Sequence, residues 1–138
     1  MHVILLSRAA SIPSTSRLIE AAKARGHQVR VLNPLELELH LDSGRARVLH
    51  HRNEITPVDV VIPRIASSIA SYGLPVVEQF SMQGVAVLNS AASIGQSRNP
   101  ARCLQALVAR GLAIPSTVLA REPKQLKAMV DQVGGVPV

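Results

Sequence analysis

Aromatic side chains and cysteine are nearly absent from this sequence. It contains one tyrosine, one phenylalanine, no tryptophan and a single cysteine, Cys103. One cysteine excludes an internal disulfide and is typical of a reducing compartment, so we expect a cytoplasmic protein. No apolar run approaches the ~20 residues of a membrane-spanning helix, which argues against a membrane partner. Residues 1–6 lack the charged leader and the cleavage site of a signal peptide.

Patterns for metal binding, phosphate binding and nucleophilic catalysis are also missing. His50 and His51 are adjacent, so in a strand they would point to opposite faces, and no further ligand stands at metal-binding spacing. Residues 7–13, which follow the first apolar segment, contain no glycine that would let a phosphate approach the backbone. Cys103 lies on the apolar face of a predicted helix, which is typical of a core residue. We therefore expect no metal, no cofactor site and no catalytic residue in this chain.

Positive charge is in excess, with twelve arginines and three lysines against nine acidic residues, which gives a net charge of +6. A basic protein can bind nucleic acid or an acidic partner. Most of the arginines are scattered, and the lack of aromatic surface for base stacking disfavours nucleic acid. One local basic cluster, residues 45–52, leaves contact with RNA or the ribosome as an alternative.

Apolar segments alternate with amphipathic segments along most of the chain. Strands are predicted at residues 3–6, 27–32, 58–62, 85–88 and 116–120. Helices are predicted from a cap at Ser14, Thr15 or Ser16 to Gly26, from Leu74 to Gly84, and over residues 91–94, 99–111 and 123–133. This alternation predicts an α/β fold with a mostly parallel, doubly wound, Rossmann-like sheet. The length suits one domain over residues 1–138.

One section departs from this alternation. Leucines at every second position from Leu35 to Leu41 are interleaved with polar residues, the period-2 pattern of a half-buried strand. A turn signal at residues 42–44 precedes a second strand over residues 45–49, and a third short piece follows at residues 54–56. We predict a small antiparallel hairpin inserted in the parallel sheet.

Polar residues follow the predicted strands where parallel strands end, the edge at which open α/β sheets bind ligands. Ser7 and Arg8 follow the first strand, and Arg64 follows the strand at residues 58–62. The guanidinium of Arg64 suits a carboxylate or a phosphate. The alternative is that Arg64 pairs with Asp59 or with a loop carbonyl. Tyr72 either orients a ligand or seals the edge of the sheet.

Short motifs, taken in order along nearly the whole chain, carry a resemblance to a known family. They are Leu6-Ser7-Arg8, Arg25-Gly26-His27, residues 31–35, residues 59–65, Tyr72-Gly73, Leu88-Asn89-Ser90 and Val133-Gly134-Gly135. Together they resemble the amino-terminal part of the RimK-type α-L-glutamate ligases of the ATP-grasp superfamily. The resemblance implies a pre-ATP-grasp domain. Members of this family use ATP and magnesium to activate a carboxylate as an acyl phosphate, which is then joined to the amine of glutamate.

The resemblance also implies what this chain lacks. The ATP-grasp domains that hold ATP and magnesium would lie beyond Val138, so both are implied only for a complete family member. The family has an Asp-Lys pair, whose lysine reaches the nucleotide phosphates, where this chain has Asn99 and Pro100. The partner of this chain would be the missing ATP-grasp half or a second copy of the chain. A ribosomal protein would be a candidate substrate, since the best-known family member adds glutamates to one.

Two functional hypotheses follow. In the first, the chain is a non-catalytic substrate or interface domain of a glutamate ligase. Arg64, Tyr72, Ser7 and Arg8 would wall its cleft, and Arg64 would steer a carboxylate substrate. In the second, the chain is a stand-alone, degenerate interaction or regulatory domain that binds a second copy or another partner, with the ribosome or RNA as an alternative.

Overall fold

The computed structural model describes residues 1–122, 124 and 126–135. The strands are β1 (His2–Leu6), β2 (Gln28–Leu32), β3 (Leu37–Asp42), β4 (Arg45–His50), β5 (Asn53–Glu54), β6 (Val60–Pro63) and β7 (Ala86–Val87). The α-helices are α1 (Pro13–Ala24), α2 (Ala70–Met82), α3 (Ala91–Ser97), α4 (Pro100–Val108) and α5 (Leu126–Gln132). Short 3₁₀ helices cover Pro34–Glu36 and Ser67–Ile69.

Four strands form a parallel sheet in the order β2-β1-β6-β7. In the central register, Ile4 of β1 pairs with Arg30 of β2 on one side and with Val61 of β6 on the other. The chain adds β2 to one side of β1 and later returns to add β6 to its other side. The direction of winding therefore reverses between β1 and β6, which confirms the predicted mostly parallel, doubly wound α/β fold.

The inserted section is a separate three-stranded antiparallel sheet in the order β3-β4-β5. The β3–β4 register runs from Leu37 opposite His50 to Asp42 opposite Arg45. Gly44 in the connecting turn has φ of 75°, a conformation that glycine adopts without strain. The predicted hairpin insertion is confirmed.

Helix α2 is fastened to this hairpin by side chains that donate to hairpin carbonyls. The buried Gln79 amide donates to the carbonyls of His40 at 3.2 Å and Arg47 at 2.5 Å. The Gln83 amide donates to the carbonyl of Ala46 at 3.1 Å. Gln79 lies in α2 and Gln83 is the residue at its C-cap, so the carboxyl end of the helix holds both strands of the hairpin.

The core lies between the parallel sheet, α2 and the hairpin, and its residues are apolar and almost fully buried. They include Ile4 and Leu6 of β1, Val61 of β6, Val48 of β4, and Val76, Val77 and Phe80 of α2. The predicted apolar face of α2 is thereby confirmed at Val77 and Phe80. This core holds β1 and β6 side by side at the point where the winding reverses.

Two predicted helix starts are wrong. Helix α1 begins at Pro13 after Ile12, which makes no side-chain cap, rather than at a capping Ser14, Thr15 or Ser16. Proline favours the first helical position because its missing N–H costs nothing there. Helix α2 begins at Ala70, so Pro75 lies inside it instead of in its first turn.

The early start of α2 brings Gly73 against Ile65. A Cβ atom on Gly73 would lie 2.6 Å from Cγ2 of Ile65, closer than side chains pack. The absence of a side chain at Gly73 therefore lets α2 approach the segment that follows β6. This approach fixes the backbone next to Arg64.

Contacts divide the chain into two units, Met1–Gly95 and Gln96–Val138. The first contains both sheets and α1 to α2. In the second, the predicted helix at Asn99-Pro100 is confirmed, because the Asn99 side chain accepts a hydrogen bond of 3.1 Å from the Arg102 N–H. Its predicted inward-facing residues are not buried, since Cys103 is half-buried and Val108 is 56% exposed.

The predicted strand at residues 116–120 is wrong, because the structure assigns no strand to these described residues and they are exposed. A strand needs a neighbour to satisfy its backbone N–H and C=O groups, and the described part of this unit contains none. Helix α5 confirms a helix within the predicted 123–133, of which Pro123 and Gln125 lie outside the described residues. None of the helices in the described residues is long and apolar enough to cross a membrane.

Candidate ligand site at the switch point of the parallel sheet

A cleft of about 370 Å³ opens at the carboxyl ends of β1 and β6. We call it the switch-point cleft. Part of its lining is polar and comes from Ser7, Ser14, Thr15 and Arg64. The rest is apolar and comes from Ile12, Pro63, Ile65, Ala66 and Ile94. It therefore combines the Arg64 guanidinium and the Ser14 hydroxyl, which can donate to an anion, with partly apolar walls.

Ser7 and Thr15 form a buried hydroxyl pair beside this cleft. Ser7 is 1% exposed and Thr15 is 0% exposed, and their oxygens are 3.0 Å apart. Ser7 Oγ donates its single proton to the carbonyl of Ala9 at 3.2 Å, so Thr15 is the donor to Ser7. The pair ties the end of β1 to the first turn of α1 and fixes the intervening loop.

Arg64 follows β6 at the neighbouring strand end. Its backbone N–H donates to the carbonyl of Leu6 at 2.8 Å, and its Nη2 donates to Ser14 Oγ at 3.1 Å. Its side chain is exposed, and among the residues that the structure describes no carboxylate lies within ion-pair distance of it. The alternative pairing with Asp59 is wrong, because the Asp59 carboxylate accepts from the His2 N–H at the opposite end of the strands.

A second concave surface adjoins the first. It is lined by Ser14, Arg17, Leu18 and Arg64 and has a volume of about 390 Å³. We call it the side cleft. Within the described ranges Arg17 has no hydrogen-bond or ion-pair partner, and the nearby Glu20 accepts from Ser16 at 3.3 Å. The two clefts share Ser14 and Arg64.

The other two predicted site residues lie differently. Arg8 is exposed and directly follows Ser7, without lining either cleft. Tyr72 lies on α2, and its hydroxyl donates to the Leu37 carbonyl at 2.7 Å. The structure therefore brings Ser7 and Arg64 together and places Tyr72 against the hairpin.

The sequence pattern indicates Ser14 and Thr15 as helix caps and Arg17 as one of many scattered arginines, so it does not assign Ser14 or Arg17 to a site. Pro13 is the signal in the sequence that places them there. A proline at the first helical position starts α1 at the end of the β1 loop, which puts Ser14 and Arg17 one turn apart on the helix beside that loop.

The basic cluster at residues 45–52 is largely neutralised by acidic neighbours. Arg45 pairs with Glu54 at 3.2 Å, and Arg47 pairs with Asp42 at 2.8 Å. The hydrogen bond from Arg47 lowers the pKa of the Asp42 carboxyl below its ordinary value. These pairs leave less free positive charge for phosphate groups than the sequence indicates.

An open parallel α/β sheet with a polar cleft at its switch point is the architecture of the doubly wound class, in which ligands bind at this edge. The chain belongs to the RimK PreATP-grasp domain family, whose model matches residues 1–94, nearly the same residues as the first contact unit. The matched residues include the whole lining of both clefts.

Similar proteins agree with this assignment. The chain is 40% identical to "Probable alpha-L-glutamate ligase 2" of Shewanella sp. strain MR-4 and 42% identical to "Probable alpha-L-glutamate ligase" of Vibrio cholerae. Each match covers all of this chain and 46% of the relative, so the chain spans about half the length of these relatives and corresponds to their amino-terminal, pre-ATP-grasp part. The ATP-grasp ligase PsnB, solved with a minimal precursor, has the same fold, with a TM-score of 0.69 and 20% identity over 96% of this chain and 50% of PsnB.

Proposed function

We propose that this chain is the amino-terminal substrate-binding part of an ATP-dependent glutamate ligase that joins glutamate to the carboxyl terminus of a peptide or protein. The family and its glutamate-ligase relatives support the reaction class. The observation that carries the site is Arg64, a guanidinium without an acidic partner among the described residues, at the switch point of the sheet.

Arg64 would hold the carboxylate of the substrate. A guanidinium offers paired N–H donors that match the two oxygens of a carboxylate. The hydrogen bond to Ser14 orients this fork, and the Ser7–Thr15 pair keeps the adjoining loop in place. Arg8 would add positive potential at the rim, whereas Tyr72 would act by holding the hairpin against α2.

ATP and magnesium would bind outside the described residues. The described residues contain no group of three carboxylate, histidine or cysteine side chains that could hold a metal ion. Asn99 and Pro100 begin α4, and the Asn99 side chain is engaged in its cap. We therefore propose that this chain alone is not catalytic and that ATP and magnesium act in a complete ligase.

A partner would cover exposed apolar surface of the second unit. Several large apolar side chains of residues 96–138 are more than half exposed, namely Val108, Leu112, Leu119 and Leu126. Burial of such surface stabilises an interface by ~25 cal/mol per Å². The ATP-grasp half of a ligase is the proposed partner, a ribosomal protein carboxyl terminus the proposed substrate, and the cytoplasm the proposed location.

A chimera tests this function. The chain replaces the first 138 aligned residues of the Vibrio cholerae relative, and incorporation of radiolabelled glutamate into a carboxyl-terminal peptide is measured with and without ATP. We expect ATP-dependent incorporation by the chimera, none by this chain alone, and a strong loss in the chimera with Arg64→Ala. Arg30→Ala removes the same charge from β2, outside both clefts, and serves as the control.

A second candidate is a stand-alone interaction domain, and the exposed apolar residues of the second unit favour it. Sedimentation of the 138-residue chain over a range of concentrations tests this. Self-association that Leu126→Glu abolishes would support a second copy as the partner. A monomer at high concentration would argue against it.

A further inference from the structure

Two arginines line the side cleft with no acid between them. Arg17 of α1 and Arg64 after β6 lie on the two elements that meet at the carboxyl edge of the sheet, and both border the same concave surface with Ser14 and Leu18. Both residues are exposed, and neither has an ion-pair partner among the described residues. Their guanidinium groups can therefore both donate to an anion.

Ser14 lines both clefts and can also donate a hydrogen bond to an anion. Its oxygen accepts from Arg64 Nη2, which leaves its own proton free to donate. An anion at this point would meet the guanidinium of Arg64 and a hydroxyl donor together. Among the described residues, Ser14 and Arg64 alone line both clefts.

The surroundings of the two arginines differ. The switch-point cleft beside Arg64 has isoleucine walls and the buried Ser7–Thr15 pair, whereas the side cleft beside Arg17 is shallow and is bordered by Leu18. A single compact anion such as phosphate would occupy part of one of these surfaces. A ligand with two carboxylates joined by a short aliphatic chain would use both.

We propose that the paired clefts bind a dicarboxylate of the glutamate type, with the terminal carboxylate on Arg64 and Ser14 and the side-chain carboxylate on Arg17. This inference rests on the proposed function, since a glutamate ligase has glutamate both as a substrate and as the end of its product. Arg17 is then the residue that distinguishes a glutamate end from a glutamine end. The same chemistry is present in free glutamate and at the terminus of a glutamate-ended peptide.

Binding to the 138-residue chain tests the proposal. The probes are the tetrapeptides Ala-Ala-Ala-Glu and Ala-Ala-Ala-Gln, the first peptide with an amidated terminus, free L-glutamate and inorganic phosphate, each titrated by calorimetry. We expect the glutamate-ended peptide to bind about tenfold more tightly than the glutamine-ended one, the usual effect of one charge-assisted hydrogen bond. Amidation should weaken binding to a similar extent. Tighter binding of free glutamate than of the peptide would assign the site to the incoming amino acid, and the reverse to the peptide end.

Matched variants separate the two arginines. In Arg17→Gln the preference for glutamate over glutamine should disappear while the glutamine-ended peptide binds as before. In Arg64→Gln all carboxylate probes should bind weakly, and Arg30→Gln should change nothing beyond a general charge effect. Both cleft arginines are exposed, and thermal unfolding of each variant verifies that the fold is intact.

Some results would overturn the proposal. Equal affinity for the two peptides, a preference that survives Arg17→Gln, or phosphate binding as tight as that of the glutamate-ended peptide would each do so. Glutamate ligation by the chimera, together with an Arg17→Gln variant of the 138-residue chain that still prefers the glutamate-ended peptide, is one informative combination. That combination would refute this inference and leave the proposed function intact. An inactive chimera with the expected binding pattern would refute the proposed function and leave the dicarboxylate site standing.

Discussion

The hydroxyl of Tyr72 donates a hydrogen bond of 2.7 Å to the backbone carbonyl of Leu37, thirty-five residues away. The bond joins the first turn of α2 to the beginning of the hairpin. The single tyrosine of the chain therefore anchors one sheet to the helix that packs on the other.

Tyr72→Phe should lower the free energy of unfolding by ~1 kcal/mol, because it leaves the Leu37 carbonyl without this partner. Urea unfolding measures the loss. Binding of carboxylate probes should not change, since Tyr72 lines neither cleft. Weaker binding at unchanged stability would assign Tyr72 to the site after all.

Gln79→Leu should cost more, about 2 to 3 kcal/mol, because two hairpin carbonyls lose a buried donor at once. Gln83→Leu, at the C-cap of the same helix, is the matched control. It removes a single bond from a half-buried residue and should cost about 1 kcal/mol. Equal losses in the free energy of unfolding for the two variants would show that the two Gln79 hydrogen bonds stabilise the protein no more than the single Gln83 bond.

Gly73→Ala should destabilise the protein by ~1–3 kcal/mol, because the added methyl would overlap Ile65. Since Ile65 adjoins Arg64, this variant should also weaken binding of carboxylate probes. Ile65→Ala creates room for the methyl, so the double variant should lose less stability than the two single losses added together. Simple additivity of the losses would mean that the overlap is relieved elsewhere.

Ser7→Ala and Thr15→Val each break the buried hydroxyl pair, and each should cost ~1 kcal/mol. The double variant should cost less than their sum, because neither hydroxyl is then left without its partner. A double-mutant cycle by urea unfolding gives the coupling energy. A coupling energy of zero would mean that the pair does not hold the β1 loop.

Acid should weaken the hairpin through Asp42. Its pKa is lowered from 3.8 in the folded protein, chiefly by the hydrogen bond from Arg47. The folded state thus favours the ionised carboxylate, and the stabilisation is fully present above the unfolded pKa and is lost as the pH falls through the lower folded value. The free energy of unfolding, measured by urea at decreasing pH, should fall less steeply for Asp42→Asn than for the wild type. Parallel curves would remove Asp42 as a source of acid sensitivity.

Much of the fold follows from local patterns. Continuous apolar runs identify β1 and β6, the period-2 leucines identify β3, and Gly26, with φ of 75°, ends the first helical segment as expected. These features depend on neighbouring residues only, which a sequence displays directly.

The predictions that are wrong or incomplete concern contacts between residues that are far apart in the sequence. Residues 116–120 have the composition of a strand, but a strand forms only where another backbone pairs with it. The early start of α2 depends on the close approach of Gly73 to Ile65. Pro75 instead indicates a later start, because proline is typical of the first turn of a helix. The position of Arg17 beside Arg64 follows from the strand order, which local periodicity does not determine.

Ser14 and Arg64, which join across the cleft, are fifty residues apart in sequence. The site therefore does not exist in the opening β1–α1–β2 segment and is created only when β6 has paired with β1. Such distant parallel pairing is among the slower steps of folding. A carboxylate that binds here would recognise only completed molecules, so ligand binding would report the fraction of chains that have finished folding.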